Sequence, residues 1–244
     1  MKSKSLTPTH VVSPEKWLAA RRELLREEKE FTQLRDRLSA RRRELPWMKI
    51  EKSYVFEAPE GRLSLGDLFE GRSQLIVYHF MLGPGWEEGC KSCSFVADHL
   101  AAAEVHLKAK DITFAAISHA PLSEIAAFKA RMGWSFPWVS AYGSDFNQDF
   151  RVSFTPEEIA RGKVDYNFRL TEVPIEELPG LTVFARDAAG TVYRTYSTYS
   201  RGLDLLIGTY NLLDLAPKGR DEDPEGTMSW VRHHDRYDHV AVAR

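Results

Sequence analysis

Apolar residues recur every seven positions along the first charged stretch: Trp17, Leu24, Phe31, Leu38 and Leu45, with Leu18, Leu25 and Leu34 widening the stripe. That period, in a run with few Gly or Pro, predicts one long amphipathic helix. Ser13-Pro14-Glu15 opens it, since serine can cap free amides and proline fits the first helical position, and Pro46 ends it. Glu27 and Arg41 are charged where a strict coiled-coil seam would be apolar. The stripe is therefore expected to pack on its own domain or on a second subunit, as a homodimer through this helix. Arg41-Arg42-Arg43 is basic, but Glu23, Glu27, Glu28 and Glu30 dilute it, which speaks against a helix that reads nucleic acid or a membrane.

Beyond Pro46 the pattern shortens. Tyr54-Val55-Phe56, Glu60-Gly61 and Arg62–Leu65 predict strand, turn and strand, and Leu65–Phe69 a single helical turn. Leu75–Met81 and Ile112–Ser118 are apolar on both faces, as buried parallel strands are. Between them Ser94–Lys108 reads as a helix with Cys90 at its start. A helix from Pro121 to Met132 follows, stopped by Gly133, then a short extended Phe136–Val139. Thr155-Pro156-Glu157-Glu158 is a cap and helix start, and Tyr166–Leu170 alternates like an edge strand. Leu181–Ala185 and Val192–Tyr196, joined by Asp187-Ala188-Ala189-Gly190, form a hairpin. A last helix is expected from Gly202 to Asp214, and a polar tail after Pro217 is expected to wrap the surface. These readings divide the chain into an arm (1–46), an α/β domain (47–216) and a tail (217–244).

Hydrophobic residues are 43% of the 244 and charged residues 28%, ordinary for a globular protein. The net charge of −2 disfavours a nucleic-acid binder led by electrostatics. No apolar run reaches the ~20 residues that span a bilayer. Met1–Val12 lacks the apolar core of a signal peptide, so a cytoplasmic location is expected. There is neither a G-x-G-x-x-G fingerprint nor a Walker loop, so no organic cofactor is implied.

The chain has two cysteines, and they form Cys90-Lys91-Ser92-Cys93 at the junction of the first buried strand and its helix. In a reducing compartment a lone Cys-x-x-Cys points to thiol chemistry rather than a structural staple. The thiolate is the attacking species, and free amides and the dipole at a helix start favour it. Gly83, Pro84, Gly85 and Gly89 predict a tight loop that leaves Cys90 accessible and Cys93 one turn deeper. Cys90 is then the attacking thiol and Cys93 the resolving one. Lys91 adds a cation, and Glu87 and Glu88 read as solvated loop carboxylates. A soft metal held by the same cysteines with His99, His106, His119 or the His233, His234 and His239 group is an alternative. No second Cys-x-x-Cys and no regular His spacing completes its ligand set. His99 and His106, seven apart on one helix, read as surface residues.

The order of elements is that of a thioredoxin-like α/β domain, a central mixed sheet flanked by helices, with the long helix added in front. The run from Tyr78 to Phe95, around Gly83-Pro84-Gly85-Trp86-Glu87-Glu88-Gly89-Cys90-Lys91-Ser92-Cys93, resembles the central motif of a bacterial family. Its members are described as predicted thioredoxin-like dithiol–disulfide oxidoreductases of unknown physiological role. Arg131–Ser140, Gly143–Asn147, Thr195–Asp204 and Trp230–Asp235 match too, so the resemblance covers nearly the whole chain. It implies a disulfide substrate, protein or small molecule, and a thiol-based reductant. Thioredoxin-like domains usually place a cis-proline before the strand facing the dithiol. Pro179 holds that position, followed by Gly180, although a Pro-Gly pair also suits an ordinary trans turn. With Trp86 as a wall, these two make the candidate substrate contacts. A peroxiredoxin-like peroxide reductase is the nearest alternative, but neither cysteine follows a Pro-x-x-x-Thr/Ser-x-x-Cys motif. Counting back from Cys90 gives Glu87 and Gly83.

Overall fold

The computed structural model describes residues 6–8, 10–223 and 226–237. The chain divides into two units, Met1–Pro46 and Trp47–Arg244. The first holds the expected helix, α1 (Pro14–Arg43), with Ser13 Oγ accepting from the Lys16 amide at 3.4 Å. A single helix has no interior, so its apolar stripe finds no cover within that unit.

The second unit is an α/β layer structure. Its strands and helices are β1 (Met48–Lys49), β2 (Val55–Ala58), β3 (Gly61–Ser64), β4 (Gln74–His79), α2 (Lys91–Lys108), β5 (Ile112–Ser118), α3 (Leu122–Met132), β6 (Trp138–Ser140), α4 (Phe146–Asp149), α5 (Pro156–Ala160), β7 (Val164–Tyr166), β8 (Arg169–Thr171), β9 (Gly180–Arg186), β10 (Val192–Tyr199) and α6 (Gly208–Leu213). The main sheet runs β1-β10-β9-β4-β5-β6-β2-β3. Strands β4, β5 and β6 are parallel, linked by α2 and α3, and β9 lies antiparallel against β4.

Side-chain alternation on β4 explains the two core layers. Leu75 and Val77 join Phe56, Leu68, Phe146 and Phe184 on one face. Tyr78 and Phe80 join Phe95, Val96, Ile125 and Phe128, under α2 and α3, on the other. β5 divides the same way, with Phe114 and Ala116 under the helices and Ala115 and Ile117 opposite. That is why both strands read as continuous apolar runs.

Four local readings change. Tyr166–Leu170 is not an edge strand of the main sheet. It is the turn of a separate hairpin, β7–β8, with Asn167 and Phe168 at φ 54° and 62°. The last helix is split into a 3-10 segment, Ser200–Leu206, and the short α6. His99 is no surface residue: its Nε2 accepts from the Thr209 amide at 3.0 Å and its Nδ1 lies 2.7 Å from the Phe95 carbonyl. The tail does not stay on the surface either, because Val231 and His233 are buried against the helix-side core. Among the described residues no helix is long and apolar enough to cross a membrane.

Candidate functional site

β4 delivers the chain to the loop at the carboxyl edge of the parallel strands. The Phe80 amide extends the β4–β5 ladder by bonding the Ile117 carbonyl (2.9 Å). The Met81 carbonyl then accepts from the Cys90 amide (3.1 Å), and the Leu82 carbonyl accepts from Ala120 (2.9 Å). These bonds bring residues 81 and 90 together and start α2. Cys90 is its N-cap, with φ −55° and ψ 128°. Its carbonyl receives both the Ser94 amide and the Ser94 hydroxyl at 2.9 Å. Cys90 is half-buried and Cys93, one turn in, is buried at 2% exposure; both are free thiols.

The two sulfurs sit in opposite electrostatic situations. The Cys93 thiol donates to Cys90, the largest influence on that group. With the Cys93 and Ser92 amides and the Lys91 charge it holds the Cys90 thiol down to about 6, against burial. This is the anion preference of a helix N-terminus acting on sulfur. Burial pushes the Cys93 thiol well above the ordinary range, and its proton shared with Cys90 adds to that. One sulfur is therefore ionised at neutral pH while its neighbour keeps a proton.

The peptide before Cys90 is fixed from two sides. A Cβ on Gly89 would lie 2.6 Å from both Phe128 Cε1 and Phe80 Cε1, so only glycine lets the backbone rest on these rings. Its carbonyl lies 2.8 Å from His233 Nε2, which must carry a proton to donate there. His233 Nδ1 lies 3.4 Å from Arg131 Nη2. Arg131 also donates to Glu88 Oε2 (2.8 Å) and, through Nε, to Asp235 Oδ2 (2.8 Å), and Arg236 Nη2 sits 3.0 Å from Glu88. Glu88 is thus an engaged carboxylate, held below the usual range chiefly by Arg131, whereas Glu87 is exposed as expected.

Trp86 is half-buried against the helix-side core. Its ring stands beside Gly83, where a Cβ would come 3.0 Å from Trp86 Nε1. Pro179 is trans, as is every described peptide bond. Its carbonyl accepts from the Tyr166 hydroxyl (2.7 Å). Tyr166 is raised by burial, and its hydroxyl also accepts from the Ser200 amide at 3.1 Å. Gly180 is buried, and a Cβ there would lie 2.7 Å from Tyr199 Cδ1, so packing alone accounts for this glycine.

The remaining sequence candidates scatter. His79 Nε2 lies 2.9 Å from Thr182 Oγ1 on the sheet's other face, its ring stacked beside those of Phe146 and Phe150, and burial lowers it to about 3. Tyr199 is buried and donates to the Phe150 carbonyl (3.1 Å). Ser197 is bonded by Arg194, and Arg201 pairs with Asp204. His119 is paired with the buried Glu177 (2.9 Å), and His234 with Asp98 (2.7 Å). His239 lies outside the described residues. Among those described, no group of three or more His, Cys, Asp or Glu is placed to hold a metal. Sequence reasoning missed Arg131 and Tyr166, and it weighed His233 only as a metal ligand. The one available signal was that Arg131 and His233 both fall within runs shared with the resembling family.

Parallel strands joined by helical crossovers, an antiparallel hairpin against β4, and two thiols in the first turn of α2 define a thioredoxin-like protein. The chain belongs to the family described as bacterial protein of unknown function (DUF899), whose profile matches residues 6–237. No curated protein matches it. Similar solved structures include a cysteine-to-serine mutant of peroxiredoxin Q from Xanthomonas campestris, with 12% identity over 65% of this chain and 90% of that one, TM-score 0.41. Peroxidoxin BcpB from Mycobacterium tuberculosis has 16% identity over 66% and 96%, TM-score 0.41. A putative thiol:disulfide interchange protein DsbE from Chlorobium tepidum has 13% over 68% and 97%, TM-score 0.41. Likeness of this degree carries no chemistry across to this chain.

Proposed function

We propose that the protein is a thiol–disulfide oxidoreductase working through Cys90 and Cys93. The observation that carries this is the split between the sulfurs: an accessible N-cap thiol lowered to about 6 beside a buried thiol that keeps its proton. The Cys90 thiolate attacks one sulfur of a substrate disulfide. The substrate S–S bond breaks, a mixed disulfide forms, and the first leaving thiolate takes a proton from water. Cys93 then loses its proton and attacks Cys90 Sγ, releasing the second thiol. Two electrons pass to the substrate and a Cys90–Cys93 bond remains, which an external thiol reductant resets. A cytoplasmic setting would supply such a reductant. Peroxide reduction is less well supported, since Gly83 and Glu87 stand where the proline and hydroxyl of that motif would be.

The test is disulfide reduction, with insulin and the neutral 2-hydroxyethyl disulfide as substrates. Cys90→Ser abolishes turnover, and Cys93→Ser accumulates a covalent enzyme–substrate adduct. Full activity in the double-serine variant would refute the proposal.

A further inference from the structure

Resting on that reading, we infer that the cleft beside Cys90 selects low-molecular-weight disulfides that carry a carboxylate close to the sulfurs. The cleft measures about 170 Å³ and is lined by Glu88, Gly89, Lys91, Arg232, His233 and Arg236. Gly89 and Lys91 flank Cys90 in the chain, so the cleft adjoins the turn that carries the attacking thiol. Water occupies roughly 30 Å³ per molecule, so the space suits a short carboxylate-bearing arm rather than a length of polypeptide.

The charge around it is lopsided. Lys91, Arg131, Arg232 and Arg236 face two carboxylates, Glu88 and Asp235, and both of these are already bonded by Arg131. Arg232 spends Nη1 on the backbone carbonyls of Ser229 (2.9 Å) and Val231 (3.0 Å), and neither it nor Lys91 has a carboxylate partner among the described residues. The whole chain is net negative at −2, so this excess of cations does not follow from the overall composition. Uncompensated cations beside a reacting sulfur raise the local concentration of anionic reactants and speed their encounter.

The measurement uses the full-length reduced protein in single turnover with three small disulfides: dithiodipropionate, 2-hydroxyethyl disulfide and cystamine. Each rate is divided by the same disulfide's rate with dithiothreitol, which removes leaving-group differences. The expected order is anionic over neutral over cationic, with about tenfold between the first two at low salt. The gap should shrink as salt shortens the reach of the charges. Arg232→Gln should narrow it, and Arg232→Lys should retain it. Equal normalised rates, or cystamine fastest, would overturn the inference while reduction of the neutral disulfide left the dithiol reading standing. A Glu-flanked cystine peptide outpacing dithiodipropionate would overturn the small-molecule assignment. No reaction with any disulfide would remove the dithiol reading and the inference together.

Discussion

Cys93→Ala removes the thiol that donates to Cys90, the largest of the influences holding that group to about 6. Burial, which opposes ionisation, stays, as do the Ser92 and Cys93 amides and the Lys91 charge. The Cys90 thiol therefore climbs toward its ordinary value of about 8.5. At pH 7 a thiol at about 6 is roughly 90% ionised and one at 8.5 about 3%, a limit of about thirtyfold less thiolate. Rates fall by less, because a more basic thiolate is the better nucleophile. A Brønsted coefficient of about 0.4–0.5 over those ~2.5 units returns roughly ten- to twentyfold. The net loss at pH 7 is then only about two- to threefold, so a single-pH assay is uninformative. The pH profile of iodoacetamide alkylation decides. The parent should show a midpoint near 6, and the variant a higher midpoint with a higher alkaline plateau. Cys93→Ser, whose hydroxyl still donates, should fall between them. Identical midpoints for parent and Cys93→Ala would refute the part assigned to the Cys93 hydrogen bond.

Three further outcomes are expected. Because folding depresses the Cys90 thiol, its contribution to the reduced form's stability is complete above about pH 8.5 and is lost as pH falls through about 6. The Tm difference between reduced parent and Cys90→Ser should widen from pH 6 to 8.5, and a flat difference would contradict it. His233→Phe keeps a ring against Phe128 but leaves the Gly89 carbonyl without its donor, costing about 1–3 kcal/mol in urea unfolding. Gly180→Ala drives a Cβ to 2.7 Å from the Tyr199 ring and should lower stability by about 1–3 kcal/mol in the same assay.

What was legible in the chain is what local chemistry dictates. Ile112–Ser118 came out to the residue, because a strand buried on both faces leaves an unbroken apolar run. The Thr155 cap is a full capping box with Glu158, at 3.2 and 3.0 Å, which a four-residue motif suffices to specify. The β9–β10 hairpin announced itself through Asp187 and Gly190. The β7–β8 hairpin did not, because its turn holds positive φ at Asn167 and Phe168 with no glycine to mark it. The break before α6 was hidden too. Its cause is long-range: His99, from α2, bonds Thr209 in α6's first turn. In the tail, a polar-looking stretch conceals the buried Val231 and His233, whose partners lie on α2, α3 and the Cys90 loop.

Long-range assembly also decides how reactive the legible motif is. Lys91-Ser92 between two cysteines places both sulfurs on one turn, but the motif alone does not aim the Cys90 sulfur at the helix amides. That aim depends on the backbone entering α2, which is set at Gly89 by Phe80 and Phe128 below and by the His233 donor beside it. His233 is in turn positioned next to Arg131, which also grips Asp235 two residues further along the tail. Under the proposed function, the segment more than a hundred residues downstream acts on the thiol through the Gly89 backbone. Loosening it should raise the Cys90 midpoint as well as lower stability, whereas a tail that merely covered the core would change stability alone.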